Sequence, residues 1–327
     1  MVTIKDVARE AGVAISTVSN VLNNVNVVSE EKRKKVLEVA KRLGYVPNMN
    51  ARMLKSSKKN TIGFFCPSLQ GYFYNILLSR CQIECQKSGY LFNVYICNEI
   101  AENEVVDIIG SSGVAGAVII NMLNDKASVD RLKSFNMPIV FLDREICGEY
   151  VSSITIDNYS GVKGAVDYLI EQGKTKIGYI FGENCYDSYL RYKAYLDSLS
   201  EHGLSKYDDF YLQCFDKENV AYEEVSRLLQ QGVNLPDAIF SDNDDQGFGC
   251  IKALKDNGIK VPRDIAVVGF DEVPMAAYYN PPLTTVHSPI SEMGYEAAKE
   301  IVRLINSDNK EGSHKMLPTT FVIRESV

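Results

Sequence analysis

The chain has 327 residues, too many for one ordinary hydrophobic core, so two or three compact units are expected. A make-up of 46% hydrophobic and 24% charged residues belongs to a folded globular protein. No run approaches the roughly 18 apolar residues of a membrane span, and helix signals stand at the N-terminus where an export peptide would need an apolar run, so a cytoplasmic location is expected and a membrane partner is not.

The net charge of −7 is unevenly spread. Of the totals of 35 Lys and Arg and 42 Asp and Glu, residues 1–60 hold 12 and 5, leaving 23 and 37 for the rest. A basic head on an acidic body is the electrostatic footprint of a segment that meets phosphates. In that head, residues 3–23 read as two short amphipathic helices hinged at Gly12. Ile4, Val7, Ala8 and Ala11 share one face, and Val13, Val18, Val21 and Leu22 pack against it. Gly12 suits a helix end that needs positive φ. Ile15, Ser16, Ser19 and Asn20 are left pointing outward at the start of the second helix, as in a helix-turn-helix that reads the major groove. Ser29 is placed to cap a third helix ending near Leu43-Gly44. Pro47 stops it, and 48–55 offers one or two helical turns, too short to be stable alone.

From Thr61 the pattern is strand then helix. Buried parallel strands are predicted at 62–66, 91–96, 117–120 and 139–142, then in a second series at 177–181, 209–213, 238–241 and 265–270, with a last strand-like segment at 320–323. Each series would make its own doubly wound sheet, giving an α/β core of two lobes with a cleft. Ligands of such sheets sit beyond the carboxyl ends of strands, so the loops at 67–74, 143–144, 187–191, 241–245 and 271–272 are the places to look for a small-molecule site.

Catalytic signatures do not hold up. Tyr189 to Lys193 fits a reductase-type Tyr-x-x-x-Lys, but no Gly-x-Gly-x-x-Gly follows an early strand. Asp242 to Gly247 begins like a calcium loop, yet its twelfth position is Ala253 where a bidentate glutamate is needed. Eight cysteines without a Cys-x-x-Cys pair, and three distant histidines (His202, His287, His314), suggest reduced thiols and no metal site. No cofactor and no enzyme activity are expected.

The chain resembles the lactose/galactose repressor (LacI/GalR) family over essentially its full length. The matching stretches are Thr3 to Asn23, Val28 to Val36, Leu43 to Asn48, Thr61-Ile62-Gly63, Phe141 to Arg144, Ser241 to Asp244, Val261 to Ile265, Val268 to Asp271 and Pro282 to Val286. The resemblance implies a three-helix helix-turn-helix head (1–46), a hinge helix and linker (47–60), and a periplasmic-binding-protein-like core for effector binding and dimerisation (61–327). The first lobe would take 61–155 and 288–316, the second 156–287 and 317–327. It further implies a homodimeric transcriptional regulator, read as a repressor, on a pseudo-palindromic operator. A transport-type binding protein with the same core would lack the basic head.

Carried over by position, base reading falls on Ile15, Ser16 and Asn20, and phosphate contact on Thr17 and Ser19. Hinge contacts fall on Asn48, Ala51, Arg52 and Leu54, with Leu54 wedged in the minor groove. Ala14 stands where the family usually has a serine cap. The effector pocket would be lined by Tyr72, Phe73, Asp143, Arg144, Arg191, Lys217, Asn243, Asp271 and Ile290. Carboxylates, an amide and an arginine beside aromatic faces suit a polyhydroxylated ligand, so a sugar is expected. Were Lys217 to turn inward, it would form with Arg144 and Arg191 a cationic cluster for a phosphate or carboxylate; otherwise it reaches solvent. A dimer contact is expected on the first lobe, near 74–88 and 101–110, with no tail to join two dimers.

Overall fold

The computed structural model describes residues 2–22, 25–45, 59–142, 144–182, 185–214 and 217–327, in two compact units, 1–59 and 60–327. In the first unit three helices, α1 (Ile4–Ala11), α2 (Ile15–Leu22) and α3 (Glu30–Arg42), close over a small core of Val7, Ala8, Ala11, Val18, Val21, Val36, Val39 and Ala40. Helices of eight residues are marginal in water, so this shared apolar face carries their stability. The Asp6 carboxylate accepts from the Thr3 backbone N–H (3.0 Å) and Oγ1 (2.7 Å). Those bonds hold its pKa below the usual carboxylate range. Gly12 ends α1 at φ 65°, as the turn requires. Ser29 occupies the N-cap of α3 but makes no side-chain capping bond.

The second unit holds two six-stranded sheets. The first is built from β1 (Thr61–Cys66), β2 (Leu91–Ile96), β3 (Gly116–Ile119), β4 (Ile139–Phe141), β5 (Val151–Ile156) and β11 (His314–Leu317), in the order β11-β5-β4-β3-β1-β2. The second uses β6 (Ile177–Phe181), β7 (Tyr211–Gln213), β8 (Ala238–Ser241), β9 (Ala266–Asp271), β10 (Thr284–His287) and β12 (Thr320–Val322), in the order β12-β10-β9-β8-β6-β7. All neighbours are parallel except β10 and β12. Both faces of the central strands are buried: Phe64 packs with Val118 and Val140 on one side, Phe65 with Ala117 and Ile119 on the other. That is why these segments read as continuous apolar runs.

The lobes are covered by α4 (Tyr72–Lys87), α5 (Glu102–Ser111), α6 (Lys126–Lys133) and α11 (Ile290–Asn306) on the first, and by α7 (Asn158–Glu171), α8 (Tyr186–Glu201), α9 (Glu218–Gln230) and α10 (Asp244–Asp256) on the second. The chain crosses between lobes three times, after β5, β10 and β11. Thr319 Oγ1 donates to the Asp157 carbonyl (3.0 Å), tying two crossings together.

Three strands were not foreseen. β5 carries Ser152, Ser153 and Thr155, which break the apolar signal yet are buried because partners exist, Ser152 Oγ donating to Glu300 Oε1. β10 contains Thr284 and Thr285, likewise buried, and β11 is an edge strand with exposed Lys315 and Met316. The segment read as a strand from 209 begins instead with a 3₁₀ turn, Asp208–Phe210, before β7. The whole second unit lies on the carboxyl-end plan of paired doubly wound sheets, and its switch points fall between β1 and β3 and between β6 and β8.

Candidate effector cavity and nucleic-acid interface

In the head, α2 buries Val18 and Val21 and turns its other side outward. Ile15 is 42% exposed, Ser16 is exposed, and Thr17, Ser19 and Asn20 are half-buried. The five positions lie on the first turn and a half of one helix, whose start is formed as the Ala14 carbonyl accepts from Thr17 (2.9 Å) and Val18 (3.2 Å). A short amphipathic helix presenting an apolar tip, three hydroxyls and an amide is chemically equipped to meet base edges and phosphates. Asn48, Ala51, Arg52, Leu54 and Asp143 lie outside the described residues.

In the core a cavity of about 200 Å³ opens between the two sheets' switch points. The turn after β1 supplies Pro67, Ser68, Gln70 and Gly71, α4 adds Phe73 and Tyr74, and the ends of β2 and β3 add Asn98 and Asn121. Opposite stand Cys185, Asp187, Ser188 and Arg191 around α8, with Lys217, Asn243, Asp245, Asp271 and Val273. Gly71 has φ 88°, and a Cβ there would lie 3.1 Å from Asp245 Oδ2, so glycine lets the two lobes approach at this point.

Arg191 is the centre of the second lobe's wall. Its Nε donates to Asn158 Oδ1 (2.7 Å), its Nη1 to the Asp242 carbonyl, and its guanidinium lies 3.8 Å from the centroid of the Phe270 ring. Burial works against its charge, but Asp271, Asp242 and Asp187 hold its pKa above the usual value. Asn158 in turn donates to Asp187 Oδ1 (2.8 Å). Asp242 is buried behind it and satisfied by the Tyr179 hydroxyl (2.6 Å) and the Gly182 N–H (3.1 Å). Asp244 accepts from Thr285 Oγ1 (2.5 Å) and the Val273 N–H (2.8 Å), and burial pushes its carboxyl up to about 7.

Asp271 differs from these. It ends β9 at φ 107°, a conformation that costs a non-glycine residue about 1–3 kcal/mol. Its side chain is buried, and Oδ1 has no hydrogen-bond partner among the described residues. Desolvation raises its pKa well above the carboxylate range against the pull of Arg191. A strained, buried carboxyl group with an oxygen that accepts no hydrogen bond, facing a cavity, is arranged for a donor that arrives from outside.

Phe73, Arg191, Lys217, Asn243 and Asp271 therefore meet at one cavity. Three expected lining residues are elsewhere. Arg144 turns to the 122–124 loop, donating to the carbonyls of Met122 (3.1 Å) and Leu123 and to Asn124 Oδ1 (3.1 Å). Its long side chain finds three acceptors beside its own strand end, so the cationic cluster of Arg144, Arg191 and Lys217 does not assemble. Tyr72 is 40% exposed at the start of α4, one helical step away from Phe73. Ile290 is buried and borders a separate hollow with Ser288 and Tyr295. Lys217 is exposed at the rim. Sequence reasoning missed Ser68, Gln70, Tyr74, Asn98, Asn121, Asp187, Ser188 and Asp245 as individuals, although six of them lie in loops singled out by the strand-end rule.

The profile of bacterial regulatory proteins of the lacI family matches residues 3–48, and that of a periplasmic binding protein-like domain matches 166–327. The HTH-type transcriptional repressor PurR of Pasteurella multocida (strain Pm70) is 31% identical over 335 residues, covering 100% of this chain and 99% of that one. The chain belongs to the lacI family of regulators. It is a helix-turn-helix DNA-binding transcriptional regulator. Among solved structures, a complex of the transcriptional regulator CelR with cellobiose is 26% identical, with a TM-score of 0.74 and complete coverage of both chains. A lac repressor dimer bound to operator and the anti-inducer ONPF, 24% identical, has a TM-score of 0.84 over 99% of this chain and 98% of that one, which shows the shared fold. Among the described residues no helix is long and apolar enough to cross a membrane.

Proposed function

We propose that this lacI-family regulator is a cytoplasmic homodimeric repressor, without enzymatic activity, whose operator affinity is set by a small carbohydrate-type effector bound in the cavity between the lobes. The observation that carries the effector reading is the set of convergent carboxylate, amide and hydroxyl groups beside Phe73 and Tyr74, with Asp271 held strained and its Oδ1 without a hydrogen bond among the described residues. A polyol needs such a set, since each hydroxyl both donates and accepts while the ring's C–H face wants an aromatic platform. The structurally similar CelR is named as a cellobiose complex, which supports the same class.

Ile15, Ser16 and Asn20 are assigned to base edges, Thr17 and Ser19 to phosphates, and Asn48, Ala51, Arg52 and Leu54 to the hinge contact, by their place in the family pattern. Ile83, Leu91, Val94 and Ile96 are exposed apolar residues on α4 and the edge strand β2, which supports self-association through the first lobe.

The test is a fluorescence-anisotropy titration of the full chain on operators selected from random duplexes, repeated with a panel of sugars. The reading expects selected sites to bind at least 10³-fold tighter than random DNA, and at least one sugar to shift that affinity. Binding that does not discriminate among sequences, or that no sugar moves, would overturn it.

A further inference from the structure

The cavity wall is rich in carboxyl groups whose oxygens accept no hydrogen bond among the described residues, and that bears on the effector's chemistry. Five carboxyl groups of the second lobe stand on or just behind the wall. Asp242 and Asp244 are buried and fully engaged by protein donors, and Asp187 accepts from Asn158. Asp245 and Asp271 are the two that line the cavity with oxygens unclaimed: no hydrogen bond to Asp245 forms among the described residues, and Asp271 Oδ1 is buried without a partner. Burial is the main reason both carboxyls are pushed up; Asp245 adds to it at Asp271, and Glu218 adds to it at Asp245.

Positive charge to balance them is scarce. Arg191 has Nε and Nη1 committed to Asn158 and the Asp242 carbonyl, and its Nη2 is 4.0 Å from Asp271 Oδ1. Lys217 sits exposed at the rim, where solvent screens it and Glu218 follows it in sequence. Arg144 is spent on the 122–124 loop. A phosphate or carboxylate entering this site would face Asp187, Asp245 and Asp271 with no uncommitted arginine among the described lining residues to meet it, whereas an ammonium would supply the donors that Asp245 and Asp271 lack.

We propose that the effector is a polyhydroxylated molecule bearing a protonated amine, its ammonium held between Asp245 and Asp271, and that the cavity rejects phosphorylated and carboxylated sugars. The inference rests on the carbohydrate reading above and narrows it. Asp245 is the specificity-determining residue: it comes from the first turn of α10, half-buried, and reaches the first lobe's Gly71 turn, so it borders the cavity where the two lobes meet.

Isothermal titration of the full-length protein tests this with matched sets in the gluco, galacto and manno series: the 2-amino sugar, its parent hexose, the N-acetyl derivative, the 6-phosphate and the uronate. The expected result is a 2-amino sugar binding at least tenfold tighter than its parent hexose and N-acetyl form, with no heat from the anionic members. In Asp245→Asn, and independently in Asp245→Ser, the ratio of amine to parent affinity should fall to within about twofold of one, with the circular dichroism melt confirming a folded protein. The inference is overturned if a phosphate, a uronate or the neutral parent binds as tightly as the amine, or if both variants keep the wild-type ratio. If no sugar of any charge binds, the carbohydrate reading itself fails and this narrowing falls with it, an outcome distinct from tight binding of an anion.

Discussion

Arg191 Nη2 and Asp271 Oδ1 stand 4.0 Å apart with both side chains buried. The separation is too long for a hydrogen bond and short enough for strong attraction. Arg191 is already fixed by Asn158, the Asp242 carbonyl and the Phe270 ring, and Asp271 is fixed by its backbone at φ 107°. Asp271 Oδ1 is thus left without a hydrogen bond among the described residues, and a ligand donor can claim it.

Asp271→Asn should therefore separate binding from folding. Asparagine tolerates positive φ and keeps the shape, so the melting midpoint should stay within a few degrees of wild type. Effector affinity should fall tenfold or more, the loss of one charge-assisted hydrogen bond, with effector-free operator binding unchanged. A variant that responds to effector like wild type in calorimetry and anisotropy would contradict the placement of Asp271.

The buried acids predict how stability changes with pH. Asp244 titrates near 7 in the folded protein against 3.8 for an unperturbed aspartate, so between those values the native state binds more protons than the unfolded chain. Stability from this group is greatest at acid pH and is lost as pH rises through 7. Between pH 6 and pH 8 it amounts to about 1.4 kcal/mol, one pKa unit's worth. Urea melts should show the wild-type core weakening over that interval, and Asp244→Asn should flatten the slope. A steeper slope in the variant would refute the assignment.

Two helix glycines should respond oppositely to alanine. A Cβ on Gly249 would lie 2.1 Å from the Glu218 carbonyl oxygen, where α9 and α10 pack backbone to backbone, so Gly249→Ala should cost about 1–3 kcal/mol or more. Gly164 in α7 has nothing within 4 Å of its Cβ position. Gly164→Ala should gain about 0.5–1 kcal/mol from backbone entropy alone. Thermal melts of the two variants decide the matter, and equal effects would mean that packing at Gly249 relaxes freely.

On DNA, Asn20→Ala should cost about 1–3 kcal/mol on the preferred operator and relax preference at one position per half-site. Uniform weakening across operator variants would show that Asn20 touches only the backbone. Leu54→Ala should weaken operator binding and leave ligand binding by the free protein unchanged, because the wedge acts on DNA alone. Operator affinity should also fall by roughly 10³–10⁵ between 50 and 200 mM salt, as 6–10 phosphate contacts would require.

The two-part plan was legible in the residues because it rests on local periodicity. Val7, Ala8, Ala11, Val18 and Val21 share helical faces, and strands such as Thr61–Cys66 and Ile177–Phe181 are buried on both sides, so their signal does not depend on what they pack against. The strand-end rule likewise pointed to the loops that line the cavity, since parallel sheets leave their carboxyl ends open. β5 and β11 escaped notice because their burial or edge position depends on partners far along the chain, such as Glu300 for Ser152.

Which side chains face the cavity was decided only by the tertiary structure. Arg144, just past the end of β4, and Arg191, inside α8, are both expected at the cavity, yet Arg144 meets three acceptors in the 122–124 loop and Arg191 lies over Phe270 within reach of Asp271. A long flexible cation goes to the nearest unsatisfied acceptors, and those are brought near by sheet order and not by sequence spacing. The residues by themselves determined that two lobes and a DNA-reading head exist; the packing of the lobes determined that the space between them is lined by Asp187, Asp245 and Asp271, with Arg191 held by its neighbours and Lys217 exposed.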